Sequence, residues 1–282
     1  MNVAQILDDA TAQISAALGL DKRVARLEAR VLASFGWEVE TAWLIAHDTD
    51  ALSDSQIAAF QSLLSRRLEG QPIAYLVGKR EFYGRPFHVS SDVLIPRPDT
   101  ERLVELALAW LPPDQPLEVL DLGTGSGCIA ITLAMERPHA RVTAVDRSDK
   151  ALAIAQRNAE TLNTHVEFLA SDWFSALGKR RFDLIVSNPP YIAATNPHLA
   201  QGDLRFEPLA ALAAGTDGLD DLRHLVQTAA KHIKPGGALL LEHGYDQADA
   251  VQALLRINNI PQPQSWADLA GNQRVSGGKL SK

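Results

Sequence analysis

The chain has 282 residues and a formal net charge of −7, with 46% hydrophobic and 22% charged residues, an ordinary balance for a globular protein in water. The acidic total gives no bulk support to nucleic-acid or anionic-membrane binding. A single cysteine, Cys128, excludes an internal disulfide framework and a cysteine-based zinc cluster. No apolar run approaches a membrane span. Met1 to Leu7, followed by Asp8 and Asp9, has no basic segment before an apolar core, so no signal peptide is expected and the expected location is the cytoplasm.

Residues 1–72 read as a small helical bundle. Val3, Ile6, Leu7, Ala10, Ile14 and Leu18 keep helical spacing, as do Val24, Leu27 and Val31. Ser53 with Gln56 forms a capping box for a helix through Leu68, which Gly70 and Pro72 end. Helices of this kind are commonly scaffold. Joined to an enzyme-like domain, they are assigned here as a substrate-binding domain.

Residues 73–97 carry Tyr75, Phe82, Tyr83, Phe87 and Val89, interrupted by Gly78, Gly84 and Pro86. Short strands or a β-hairpin fit best, as a connector. Asp99 or Thr100 then caps a helix to Trp110, and Pro112-Pro113 stops it.

From Leu117 the pattern alternates. Buried strands are predicted near 117–122, 141–146, 165–169, 182–187 and 237–242, and helices near 127–137, 149–162 and 218–234. This alternation predicts a parallel, doubly wound, Rossmann-like α/β sheet over residues 98–282. The tail from Ser265 is polar and contains glycine, which suits late strands or an ordered loop.

The richest chemistry lies in Ser187-Asn188-Pro189-Pro190-Tyr191, directly after the buried strand Phe182–Val186. Two prolines forbid a helix and remove two N–H donors, leaving a stiff loop with free carbonyls beside one amide and one aromatic side chain. Such acceptors with an aromatic wall suit a planar –NH2 group on a flat π system. That is the chemistry of methylating an amide or exocyclic amine nitrogen.

A second candidate site is the glycine loop Gly123-Thr124-Gly125-Ser126-Gly127, which opens a helix after the strand Val119–Leu122. Cys128 stands where a dinucleotide fingerprint has its third glycine, which weighs against NAD or FAD. Asp146 ends the next strand where an acidic residue takes ribose hydroxyls. Asp172-Trp173 follow the third with an acceptor and a flat ring. Singly, each has a plain alternative: Asp146 as a helix cap, Trp173 as a core aromatic, Asp121 as a loop brace. Together they converge on the carboxyl edge of one sheet. The eight histidines show no ligand-like pairing, so no metal is expected and His243 reads as structural.

With these residues assembled, the chain resembles the peptide-chain-release-factor glutamine N5-methyltransferases, a class I S-adenosylmethionine (SAM) family. The resemblance runs through Pro72–Leu76, Phe82-Tyr83-Gly84, Arg97-Pro98-Asp99-Thr100-Glu101, the glycine loop and Asn188–Tyr191. It continues in Gly215–Leu219, Pro235-Gly236-Gly237, Glu242-His243-Gly244 and Asp268–Gly271, with Gln273 a departure from the acidic residue common there. It implies that Gly123, Thr124, Gly125, Ser126, Gly127, Asp146, Asp172, Trp173 and Asn188 hold SAM, with S-adenosylhomocysteine as product. It also implies that Asn188, Pro189, Pro190 and Tyr191 hold the glutamine of the Gly-Gly-Gln loop of class I release factors.

Asn188, Pro189 and Tyr191 are the expected catalytic residues. The Asn188 oxygen and the Pro189 carbonyl accept the two N–H groups, and Tyr191 with Phe82 walls the amide. Arg97, Asp99 and Glu101 read equally as site braces and as a salt-bridged helix start. The rivals are a ribosomal-protein glutamine methyltransferase, an adenine N6-methyltransferase acting on DNA or RNA, and a SAM-binding module without catalysis. The acidic balance and the absence of a recognisable helix-turn-helix weigh against nucleic acid. The expected state is a monomer, because a large protein substrate needs open access.

Overall fold

The computed structural model describes residues 1–280. It divides into two compact units: Met1–Lys79 together with Ala200–Phe206, and Arg80–Leu199 together with Glu207–Lys282.

The first unit holds α1 (Val3–Leu18), α2 (Lys22–Gly36), α3 (Thr41–Ala46), α4 (Asp54–Leu68) and α5 (Ile73–Val77). Capping boxes start two of them. Asn2 pairs with Gln5 at α1, and Ser53 pairs with Gln56 at α4 as its sequence spacing predicts. Val3, Ile6, Ala10, Ile14, Leu32, Phe60 and Leu64 fill the core. On α2 the inward face is Ala25, Ala29, Leu32 and Ala33, small enough for close helix packing. The helical spacing of Val24 and Leu27 instead marks an outer face, with Leu27 63% exposed. Arg67 is almost fully buried and donates to both carboxylate oxygens of Glu28, at 2.9 and 3.0 Å. It also reaches Asp203 of the second segment at 3.1 Å. Arg205 of that segment donates to the Glu69 carbonyl at 2.6 Å.

Residues 73–77, expected as strand with the rest of the connector, form the short helix α5. Pro72 supplies an extended N-cap, and Gly78 ends the helix in the left-handed conformation. The hairpin follows as β1 (Lys79–Phe82) and β2 (Arg85–His88).

The second unit continues through α6 (Glu101–Trp110), β3 (Glu118–Leu122), α7 (Cys128–Glu136), β4 (Arg141–Asp146), α8 (Asp149–Thr161), β5 (Glu167–Ala170) and β6 (Phe182–Ser187). It ends with α9 (Asp220–Ala229), β7 (Ile233–Glu242), α10 (Ala248–Ile257), β8 (Gln264–Ala267) and β9 (Gln273–Lys279). The sheet order is β5-β4-β3-β6-β7-β9-β8, parallel through β7 and antiparallel over the last two strands.

Alternate side chains feed opposite faces. Val119, Val142, Val186 and Leu240 pack against Leu103 and Ile129, whereas Leu120, Val145, Ile185 and Leu241 pack against Leu225 and Leu255. Strand β7 starts four residues earlier than expected. Pro235, Gly236 and Gly237 sit at a register shift opposite Phe182–Leu184, where a missing donor and missing side chains are tolerated. Helix α9 is correspondingly shorter, and α10 is an element the sequence reading did not place. Among the described residues no helix is long and apolar enough to cross a membrane.

Candidate active site

The register of the sheet decides where the functional side chains emerge. Leu122 of β3 pairs with Val145 of β4 and with Ser187 of β6. Ser187 pairs in turn with Leu241 of β7. The next residue along each strand is Gly123, Asp146, Asn188 and Glu242, four positions on one rung of the carboxyl edge. Strand β3 lies between β4 and β6, the point at which the strand order reverses and the loops diverge to leave a crevice.

A cleft open to solvent occupies that crevice. Gly123, Thr124, Gly125, Ser126, Asp146, Asp172, Trp173, Asn188 and Pro190 line it. Gly127 lies behind the lining as the N-cap of α7. Tyr191 packs in the core on the α9 side of the sheet, and Phe82 is buried edge-on to Phe87, 6.1 Å between ring centres. Phe82 thus belongs to the core that packs behind the cleft with Cys128 and Ile129, and is not itself among the lining residues.

The glycine loop is held by its own chain. Gly123 and Thr124 donate to the Val145 carbonyl at 2.9 and 3.0 Å. Gly125 N–H donates to Asp146 Oδ2 at 2.9 Å, and Ser148 N–H takes the other oxygen. Asp121 accepts from the Thr124 hydroxyl at 2.6 Å, while its Oδ1 has no partner among the described residues. Burial raises the Asp121 pKa to about 7, against the hydroxyl that lowers it.

Asn158 of α8, fully buried, completes the brace. Its amide nitrogen donates to the Ser126 carbonyl at 2.8 Å, and its two ends bond the backbone of His88. Trp173, in the left-handed region at φ 49°, lays its ring against Gly123, where an added Cβ would meet it at 3.2 Å. Asp221 of α9 lines the cleft, and burial pushes its carboxyl up against the opposing pull of the Arg147 charge. Cys128 is also in the lining, but burial raises its thiol to about 12, which leaves no thiolate for nucleophilic work near neutrality.

On the other side of the crevice, Ser187 donates to the Leu122 carbonyl at 2.7 Å and locks the two strand ends together. Asn188 Nδ2 donates to the Thr100 hydroxyl at 3.0 Å. Neither Asn188 Oδ1 nor the Pro189 carbonyl has a partner among the described residues. The Tyr191 carbonyl accepts from Gln247 at 3.0 Å, and Gly218 approaches so closely that a Cβ there would lie 2.3 Å from it. The Tyr191 hydroxyl donates to Glu242 at 3.4 Å, and burial holds that phenol far above its usual range.

The Arg97–Glu101 segment is a set of ties. Arg97 pairs with the buried Glu207, which also accepts from Ile95 N–H at 3.0 Å. Asp99 pairs with Arg274 at 3.2 Å, and Glu101 accepts from Tyr83 N–H at 2.9 Å. His243 is internal to the fold, bonded to the Gly244 carbonyl and the Ser276 hydroxyl. Thr100, Asn158, Asp221 and Glu242 are the site residues that the sequence reading did not assign. Thr100 and Glu242 stood in quoted motifs; nothing local singled out the other two.

Two family models match, the Methyltransferase small domain over residues 103–203 and the PrmC N-terminal domain over residues 5–78. A release factor glutamine methyltransferase of Bordetella pertussis is 52% identical over 92% of this chain and 97% of its own length. One from Salmonella typhimurium is 48% identical over 93% and 94%. The chain belongs to the release factor glutamine methyltransferase family. Among solved structures, the T. thermophilus 16S rRNA N2 G1207 methyltransferase in complex with AdoMet and guanosine is similar in fold. Its TM-score is 0.53 at 24% identity, over 72% of this chain and 49% of that one. The seven-stranded sheet with its helical amino-terminal unit is the class I methyltransferase architecture that the sequence predicts.

Proposed function

We propose that this protein transfers the methyl group of SAM to the side-chain amide nitrogen of the glutamine in the Gly-Gly-Gln loop of class I translation release factors. The names of relatives about half identical along nearly the whole chain support the substrate. The observation that carries the chemistry is Asn188: its nitrogen is committed to Thr100, so its oxygen is the end left for a ligand.

The residues of the cleft fit SAM. Gly125 has open space where a Cβ would stand, Trp173 offers a flat face for adenine, and Asp146 keeps lone pairs for ribose hydroxyls beyond the two it gives to backbone N–H groups. Asp172 adds an exposed acceptor at the rim. When bound, SAM supplies an electrophilic methyl group and leaves as S-adenosylhomocysteine.

Asn188 Oδ1 and the Pro189 carbonyl accept the two N–H groups of the glutamine carboxamide. Two fixed acceptors set the plane of the amide and direct its nitrogen into the cleft, so alignment and preorganised dipoles supply the acceleration; as the N–CH3 bond forms and the S–CH3 bond breaks, the nitrogen sheds one of its two N–H protons to water. Pro190 shapes the wall, and Tyr191, held from behind by Gln247 and Gly218, keeps the turn rigid. A glutamate carboxylate has no protons for two facing acceptors, and sites built on such donors reject analogues lacking them by roughly 10⁴-fold. The helical unit grips the release factor outside its reactive loop, and the enzyme works as a monomer on that protein in the cytoplasm, with no nucleic-acid partner.

The test uses purified protein, tritiated-methyl SAM and an unmethylated release factor, beside the same factor with its Gly-Gly-Gln glutamine changed to alanine. Label on the first and none on the second is expected. Equal label on both, or none on either, overturns the assignment.

A further inference from the structure

A turn built on two consecutive prolines is stiff, so its ends decide where it points. Proline fixes φ at about −65° and holds the residue before it extended, which leaves Asn188-Pro189-Pro190 few free torsions. The near end is set by β6 and by the Ser187 hydroxyl on the Leu122 carbonyl. The far end is the Tyr191 carbonyl. It accepts from Gln247 Nε2 at 3.0 Å, and the next residue, Ile192, donates to the Leu212 carbonyl and accepts from Ala214 N–H, each at 2.9 Å.

We infer that Gln247 is a positioning residue for methyl transfer, which aims the Asn188 and Pro189 acceptors by clamping the Tyr191 carbonyl from behind. This rests on the reading that those two acceptors receive a glutamine amide. Gln247 stands at the start of α10, buried, and is not among the residues that line the cleft. Its carboxamide has partners of fixed polarity at both ends. The oxygen accepts from Gly244 N–H at 2.8 Å, and the nitrogen donates to the Tyr191 carbonyl and, at 3.4 Å, to the Gly218 carbonyl. A backbone N–H only donates and a carbonyl only accepts, so one orientation of the amide satisfies all three partners and the flipped one satisfies none.

The clamp joins three segments: the turn after β6, the loop before α9 and the end of β7. They come together closely. At Gly218, φ +77°, an added Cβ would stand 2.3 Å from the Tyr191 oxygen and 2.9 Å from Gln247 Nε2. At Gly244 it would meet Gln247 Oε1 at 3.0 Å. Loss of the Gln247 nitrogen releases the far end of the turn, and the stiff span carries the shift to the Pro189 carbonyl and to Asn188. A displacement of about 1 Å arising away from the chemistry can cost about 10²-fold in rate, because the reacting nitrogen leaves its line of attack. The glycine loop and Asp146 are held by bonds of their own on β3 and β4, so cofactor binding does not follow the turn.

The experiment compares full-length Gln247→Glu, Gln247→Leu and Gly218→Ala with wild type, and adds Asn188→Ala alone and combined with Gln247→Leu. The SAM Kd is measured by calorimetry, and kcat and KM are measured on the release factor, all well below each variant's melting temperature. Gln247→Glu keeps the acceptor for Gly244 N–H but sets an oxygen against the Tyr191 carbonyl. It and Gln247→Leu should lose about 10²-fold in kcat, with the SAM Kd within about twofold of wild type and KM changing far less than kcat. Gly218→Ala pushes on the same carbonyl with Gln247 intact, and kcat should fall with it too. Because the clamp and Asn188 serve one substrate amide, the double variant should lose less than the product of the two single losses. Wild-type kcat in Gln247→Glu, a SAM affinity that falls in step with kcat, or losses that multiply in the double variant would each overturn the clamp. Failure of wild type itself to label the glutamine would instead overturn the function on which it rests.

Discussion

Asn188 carries a donor end and an acceptor end, and the fold commits the donor to Thr100. On the proposed mechanism, removing the side chain takes away one of the two acceptors for the substrate amide but leaves the glycine loop untouched. Asn188→Ala should therefore lower kcat by about 10²- to 10³-fold, the scale of losing one preorganised partner of a reacting group. The KM for the release factor should change far less, as steady-state kinetics on the whole factor would reveal. Near-wild-type kcat would remove Asn188 from the mechanism.

A second single-residue prediction concerns Asp121, fully buried, with one oxygen on Thr124 and the other without a side-chain hydrogen-bond partner among the described residues. Its carboxyl titrates near 7 in the folded protein against 3.8 when unperturbed. Folding therefore takes up a proton in that window. The stabilisation is complete below about pH 4 and is lost as pH rises through 7, amounting to about 4 kcal/mol by pH 8. Asp121→Asn keeps an acceptor for Thr124 and does not titrate. Its melting temperature should gain on wild type from pH 5 to about pH 7 and then level off, and a constant difference across that range would disprove the assignment.

At the scale of an element, the glycine loop separates ligand space from packing space. Gly127, at φ +81°, has Ile131 and Ala155 within 2.9 and 3.0 Å of an added Cβ, whereas Gly125, at φ +54°, has nothing within 4 Å. Gly127→Ala should destabilise the apo protein by about 2 kcal/mol or more, clash and left-handed strain together. Gly125→Ala should cost about 1 kcal/mol from backbone strain alone, yet weaken SAM binding at least as much as Gly127→Ala does. Denaturant titration beside calorimetry would check the pair, and a Gly125 variant with unchanged SAM affinity would place the cofactor elsewhere.

The loop itself was legible in the sequence, because a glycine run after a buried β-branched strand is a local signal, as are Asp146 and Asn188 at strand ends. What completes the site was not. Thr100 meets Asn188 across 88 residues and Asn158 meets His88 across 70, and no spacing rule reaches that far. Two elements escaped for local reasons. Helix α10 buries only Val251 and Leu255 against the sheet, too thin a stripe to stand out. The start of β7 hides in Pro235-Gly236-Gly237, which reads as a breaker unless the bulge opposite it is known.

At the scale of the whole molecule, the cleft and the most exposed apolar helix face belong to different units. Every residue lining the cleft lies in the second unit, whereas α2 in the first turns Val24, Leu27 and Phe35 to solvent. Exposed apolar side chains of that size on one helix suit contact with another protein. The first unit is held to its own second segment by Arg67, which is buried between Glu28 and Asp203. Breaking a buried ion pair by removing one partner costs about 3–5 kcal/mol, because a charge is left without compensation. Arg67→Met should thus loosen the first unit and spare the second. SAM affinity and methylation of a short Gly-Gly-Gln peptide should stay within about twofold of wild type, while kcat/KM on the intact release factor drops by about tenfold or more, given the share of binding that a macromolecular contact supplies. An equal fall on peptide and whole factor would mean that the helical unit supports the catalytic one and does not grip the substrate, whereas a loss confined to the whole factor assigns the grip to the helices.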